Sequence, residues 1–348
     1  MSSDQRPTIR VTSTQDLLAL IPFILGFEPD NSLVLLAVDD RAHTVVTLTR
    51  LNLPTTDEQL ALATAAVDRI IAALRARSRV SVVVAGYGPT ERVDPMVAAA
   101  SGALDAAGIP IREAVRVESG RFWRLRGVDP APSPPDGVPF EAATSPATAA
   151  AVYAGLVALP DRATLAATLA PVTGPARQRM IEATTAASVM VIAVLDAART
   201  SPAETGEEPD AVLDTELGQA LQAYARTYLT QTQDRYRARQ PADDKTAALL
   251  TVLLQLPTLW DVAARTSSGE PWQIEMWSDL VRRAEPPFTA ATATLLALSA
   301  LQAGHGPLAS MAVDRALEVD PHDDLAPILR QAIAAGIDPD TVTALLAR

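Results

Sequence analysis

The chain has 348 residues, of which 48% are hydrophobic, 20% charged and only 4% aromatic, and its formal net charge is −12. That length exceeds what one hydrophobic core ordinarily holds and implies two domains, with cores filled by Ala, Leu and Val. The lack of any cysteine excludes disulfides and thiolate metal sites, and the acidity opposes a general nucleic-acid binder, which needs a basic surface to displace counterions from phosphate.

The first segment, Met1 to Arg10, is polar and does not read as a secretory leader. Leu17, Leu18, Ile21, Ile24 and Leu25 then share a helical face, with Ser13 and Asp16 placed as a capping box and Pro22 as a kink. Leu33 to Val38 is a continuous apolar run suited to a strand covered on both faces, and Thr44 to Leu53 reads as its hairpin partner. Within that partner Val46 and Leu48 share one phase and Leu51 and Leu53 the other, which predicts a bulge near Thr49 and Arg50. A helix opened by Thr56 and Gln59 carries Leu60, Val67, Ile70, Ile71 and Leu74 inward. Val80 to Ala85 is the next buried strand, Asp94 and Pro95 open a second crossover helix, and Gly108 ends it. Ile109 to Val117 returns as a strand, and Ser119-Gly120 turns the chain into Arg121 to Arg126.

From Val128 to Pro146 six prolines fall in nineteen residues, the composition of a linker. The expected organisation is therefore an α/β domain at 1–127 with a mixed sheet and crossover helices, a linker at 128–146, and an all-α domain at 147–348. Among the last helices, Leu296, Ala297, Ala300, Ala309, Ala316 and Pro321 have the spacing of one tetratricopeptide-like helix hairpin. The longest apolar stretch late in the chain, Val189 to Leu195, is far below the roughly 20 residues that cross a bilayer. A cytoplasmic protein with no membrane partner is expected. Acids from Glu204 to Glu216 meet no base between Arg199 and Arg226 and read as a solvated loop and helix start.

No spacing of acid, base and nucleophile matches a catalytic motif. Ser101, Ser188 and Ser310 have no His or Asp near them in the sequence, and a serine hydrolase is disfavoured. The best ligand candidate is Gly86-Tyr87-Gly88-Pro89-Thr90, between a buried strand and a helix. Glycines there would let backbone amides approach a phosphate or carboxylate, although a structural turn is the plainer reading. Glu28 and Asp30, in the Gly26 to Ser32 loop, could hold a cation, but a Pro-Asp turn explains them as well. Arg116, Arg121, Phe122, Trp123, Arg124 and Arg126 interleave cations with aromatics, a pattern that stacks on single strands. With this acidity, rings packed under arginine stems are the better reading, and Arg121, Trp123 and Arg124 could form a protein interface. Asp320, His322, Asp323 and Asp324 are explained by a turn and a helix cap, so no metal and no cofactor is expected.

Several segments together resemble the actinobacterial DUF4192 family, a domain of unknown function. They are DLLALIPFILGFEPDNSLVLLAV near the start, AGYGP at 85–89, GRFW at 120–123, PPDGVP at 134–139 and PPFTAATATLLALSALQAGHGPLASMAVDRALEVDP near the end. The resemblance implies the same partition into an α/β part and a helical part, and it implies no activity. Members of that family often carry cysteines shortly after the GRFW turn, where this chain has Gly127, Pro132 and Ser133. Any thiol or metal chemistry at that place is absent here. The sequence as a whole points to a non-catalytic binding or adaptor protein with a protein partner. The alternative is a sensor or enzyme for a small anionic ligand at Gly86, Tyr87, Gly88 and Thr90.

Overall fold

A computed structural model describes residues 9, 11, 13–41, 44–75, 77, 79–127, 133–154, 156–200 and 211–334. The chain divides into two compact units, one running through Leu165 and including residues 305–307 and 331–334, the other taking the rest from Ala166.

The first unit holds α1 (Thr14–Leu25), β1 (Ser32–Asp39), β2 (Thr44–Asn52), α2 (Asp57–Arg75), β3 (Val80–Tyr87), α3 (Thr90–Ala106), β4 (Ile111–Glu118), β5 (Arg121–Gly127), β6 (Val138–Pro139) and α4 (Pro146–Tyr153). The sheet order is β2-β1-β3-β4-β5-β6, and only the β3–β4 pair is parallel. β1 and β3 are buried on both faces, as their unbroken apolar runs require. One face packs on α2 and α3 through Leu33, Leu35, Val82, Val84, Val67, Ile71, Val93 and Val97. The opposite face packs Leu36, Val38 and Val83 on Leu17 and Ile24 of α1.

α1 is capped by Ser13, whose side chain accepts from the Asp16 amide, and it stops at Gly26 with φ +79°. The start of α4 is fastened to α1 by a buried hydrogen bond of 2.8 Å from Ser145 Oγ to Asp16 Oδ1. The bulge in β2 lies elsewhere than expected. Ala37 pairs Thr47 and Val38 pairs Val45, which leaves Val46 as the extra residue. Val46 and Leu51 face the α2/α3 layer while Leu48 faces α1, so the phase change falls between Val46 and Leu48, away from Thr49 and Arg50. Leu60 is in phase with the buried stripe of α2 but is 42% exposed, since the first turn has nothing to pack on.

The described part of the proline-rich stretch is not a free linker. Val138–Pro139 pairs with β5, the Phe140 amide donates to Gly120 O at 2.8 Å, and Ser133 Oγ accepts from the Arg124 amide at 2.7 Å. Proline suits an edge strand because that strand has amides to spare. Residues 133–146 therefore belong to the sheet unit; 128–132 lie outside the described residues.

The second unit is helical. Its elements follow α5 (Arg162–Ala167) and are α6 (Gly174–Thr200), α7 (Ala211–Asp214), α8 (Glu216–Arg237), α9 (Asp244–Leu253), α10 (Pro257–Arg265), α11 (Pro271–Arg283), α12 (Thr289–Gln302), α13 (Gly306–Val319) and α14 (Ala326–Ala334). α12 is buried along its whole length and lies against α9, α10 and α11. Ala297, Ala300, Ala309 and Ala316, the residues expected to allow close helix packing, are all fully buried. The core is completed by Trp277 and Met276 of α11 and by a polar lock in which Tyr236 and Arg283 both donate to Asp279. The acids at 204–210 lie outside the described residues.

Candidate functional site

The strand-to-helix turn is shorter than its sequence suggests. Gly86 and Tyr87 are the last residues of β3, Gly88 and Pro89 make the turn, and Thr90 opens α3. Gly86 is required for packing: a Cβ there would sit 2.2 Å from Val93 Cγ1 and 3.0 Å from Val97 Cγ2. Gly88 has φ +132°, a conformation that glycine tolerates, and its amide donates to Val117 O at 3.0 Å. Tyr87 is 7% exposed and its hydroxyl has no hydrogen-bond partner among the described residues. Burial pushes the ionisation of that phenol far up, and the negative charge of Glu28 adds to the shift. Packing and a backbone hydrogen bond thus occupy Gly86, Tyr87 and Gly88, and Thr90 is the exposed member of the loop.

The two polar loops weighed separately in the sequence meet at one end of the sheet, because β1 runs antiparallel to β3 and Ser32 pairs with Tyr87. Asn31, at φ +43°, accepts from Arg92 Nη1, while Arg92 Nη2 donates to Leu53 O at 3.0 Å. Arg50 Nε donates to Ser32 Oγ at 2.7 Å, and its guanidinium lies 5.8 Å from the centre of the Phe27 ring. Leu159 holds the loop from the far side, accepting from the Glu28 amide at 2.8 Å and donating to Gly26 O at 2.9 Å. Burial lowers the pKa of Arg50, and the like charge of Arg162 lowers it further against the pull of Asp30. Burial also raises the pKa of Glu28. Arg50 of β2, Arg92 of α3 and Arg162 carry no local signal in the sequence, because three distant segments supply them.

The arginines of the hairpin have partners within the chain, Arg126 at the surface. Arg116 pairs with Asp94 at 3.1 Å and lies over the Trp123 ring, 4.3 Å from its centre. Trp123 Nε1 donates to Pro135 O at 3.0 Å, and a Cβ on Gly137 would come within 2.6 Å of the same ring. Arg121 donates to the carbonyls of Asp136 and Gly137. Arg124 pairs with Glu113 at 3.0 Å, and Arg126 pairs with Asp105. The contacts of Arg121 and Trp123 seat the residues 134–139 strap on β5, and the ion pairs occupy Arg116, Arg124 and Arg126.

Asp320 Oδ1 accepts from the His322 amide, while Asp323 Oδ1 caps α14 through the amides of Leu325 and Ala326. Asp323 Oδ2 accepts from Thr294 Oγ1 at 3.0 Å. Among the described residues no group of three His, Asp or Glu side chains is placed to hold a metal ion.

The feature the sequence reading missed is on α6. This helix buries a narrow stripe, Met180, Thr184, Ala187, Val191 and Ala198, against α8 and α9. Outside that stripe the C-terminal half of the helix leaves apolar side chains open: Val189 is 64% exposed, Ile192 56% and Met190 44%. Tyr224 of α8 is 48% exposed and, with Met190, Val194, Ala220 and Leu221, lines a groove of about 220 Å³. An 18-residue window of α6 reaches a mean hydropathy of 1.6 with only 22% of it buried, which meets the length and composition of a membrane-crossing helix. The signal was the alanine-rich run around Val189 to Leu195, which extends the apolar segment beyond its aliphatic centre.

A mixed sheet flanked by helices, followed by a helical unit with an uncovered apolar helix, defines the class of protein. A family model described as "Domain of unknown function (DUF4192)" matches residues 15–340, and the chain belongs to that family. No curated protein and no solved structure matches it.

Proposed function

We propose that this chain is a non-catalytic, cytoplasmic binding or adaptor protein that takes a protein partner on its helical unit. The observation that carries the reading is the apolar face of α6 and the adjoining groove against α8, with Val189, Met190 and Tyr224 standing in solvent. Exposed apolar patches of this kind mark interaction sites on soluble proteins. The net charge of −12 and the internal pairing of Arg116, Arg124 and Arg126 argue against nucleic acid as the partner. Gel filtration of cell extracts at native expression tests it. The wild-type chain should elute well above its own 36.7 kDa, and Val189→Asp should return it to that size. A wild-type chain eluting alone would contradict the proposal.

A second reading is a sensor or enzyme for a small anionic ligand beside Gly86 to Thr90. It draws its support from Arg50, whose charge is disfavoured by burial and by the neighbouring charge of Arg162 at this end of the sheet. Thermal shift with phosphate and with small carboxylates tests it, with loss of any shift expected in Arg50→Ala.

A further inference from the structure

The exposed face of α6 has an internal order that points to its occupant. Arg179, Glu182, Ala186, Val189, Ala193 and Asp196 recur at alternate spacings of three and four, all exposed. That is the spacing of a coiled-coil seam, and it lies outside the stripe that α6 already buries. Two such seams laid antiparallel about a two-fold axis at the level of Ala187 and Ser188 form alternating layers. Ala186 then faces Val189, Glu182 faces Ala193, and Arg179 faces Asp196 at each end. The alanines let the helix axes approach closely, and the end layers bring opposite charges together twice. Sliding one helix by three residues sets Val189 on Val189 but opposes Arg179 to Arg199 and Glu182 to Asp196. Like charges therefore disfavour that register.

We propose that α6 docks antiparallel on α6 of a second copy of this chain, with Arg179 of each copy paired to Asp196 of the other. The inference rests on the reading of α6 as a docking face and names its partner. Arg179 touches Asp244 and Asp196 touches Arg199 within the chain, yet the side chains of Arg179 and Asp196 remain 59% and 60% exposed, available to a second partner. The seam's apolar members are Ala186, Val189 and Ala193 alone, so the dimer is weak and concentration-dependent.

Sedimentation equilibrium of the full purified chain tests this. The wild type should show reversible monomer–dimer exchange. Asp196→Arg should weaken association about tenfold or more, because two like-charge pairs replace two attractive ones. Arg179→Asp combined with Asp196→Arg should restore it, and circular dichroism should show all variants folded. A wild type that stays monomeric at every concentration, or a charge swap that fails to rescue, overturns the proposal. If such a monomer still loses its complex in extracts on Val189→Asp, the docking face stands and the second copy is wrong; if no complex exists there either, both fail.

Discussion

The guanidinium of Arg116 lies 4.3 Å from the centre of the Trp123 ring and 3.1 Å from the carboxylate of Asp94, which makes one cation the joint between α3, β4 and β5. The Arg116 side chain is only 10% exposed, so its charge depends on Asp94 and the ring in place of water. Asp94→Ala should destabilise the protein by about 3 kcal/mol in urea unfolding, the cost of leaving a buried charge unpaired. A loss below about 0.5 kcal/mol, typical of exposed pairs, would show that solvent reaches Arg116.

Tyr87 separates a structural turn from a ligand cradle. Its hydroxyl is buried without a partner among the described residues, so Tyr87→Phe should be neutral or slightly stabilising. Tyr87→Ala should cost about 3–5 kcal/mol, as large aromatic truncations in cores do. An Ala variant as stable as wild type would place the ring outside the core.

Three glycines should respond in opposite directions. Gly86→Ala drives a methyl into Val93, and Gly137→Ala drives one into Trp123 from a backbone at φ +73°. Each should cost about 2–3 kcal/mol. Gly102, exposed within α3 with nothing near its missing Cβ, should gain about 0.5–1 kcal/mol on becoming Ala. Thermal melts of the three single variants read this directly.

What could be read from the sequence followed from local rules. The β1 and β3 runs, the Ser13 cap, the Gly26 stop and the capping of Asp323 all rest on residues within a few positions of one another. Contacts across the chain were not legible. The Val46 bulge depends on β2 being covered on both faces, which blurs a two-residue phase. The strap at 134–139 reads as linker because proline content is local while its anchor, Trp123, is not. Arg50, Arg92 and Arg162 come from a strand and two helices far apart in the chain, and no local rule joins them. The α6 face escaped because an alanine-rich helix looks the same whether buried or open; its exposure is a property of the assembled unit.

His305 gives the fold a pH dependence of definite sign. Burial lowers its pKa below the ordinary 6.5, so the folded protein holds fewer protons than the unfolded chain just below that pH. Stability contributed by neutral His305 is full above pH 6.5 and is lost as pH falls through that value, down to the folded pKa. His305→Gln should flatten this part of the stability profile, measured by urea unfolding across the acidic range. An unchanged slope would assign the dependence to other groups.

The central claim is that this protein works by docking a partner on α6. A photo-crosslinking amino acid placed at Val189 in living cells tests it most directly, with Leu62, equally exposed on α2 at 64%, as the reference position. The account predicts a discrete protein adduct from Val189 and none from Leu62. Equal yields at both positions, or no adduct from Val189, would contradict it.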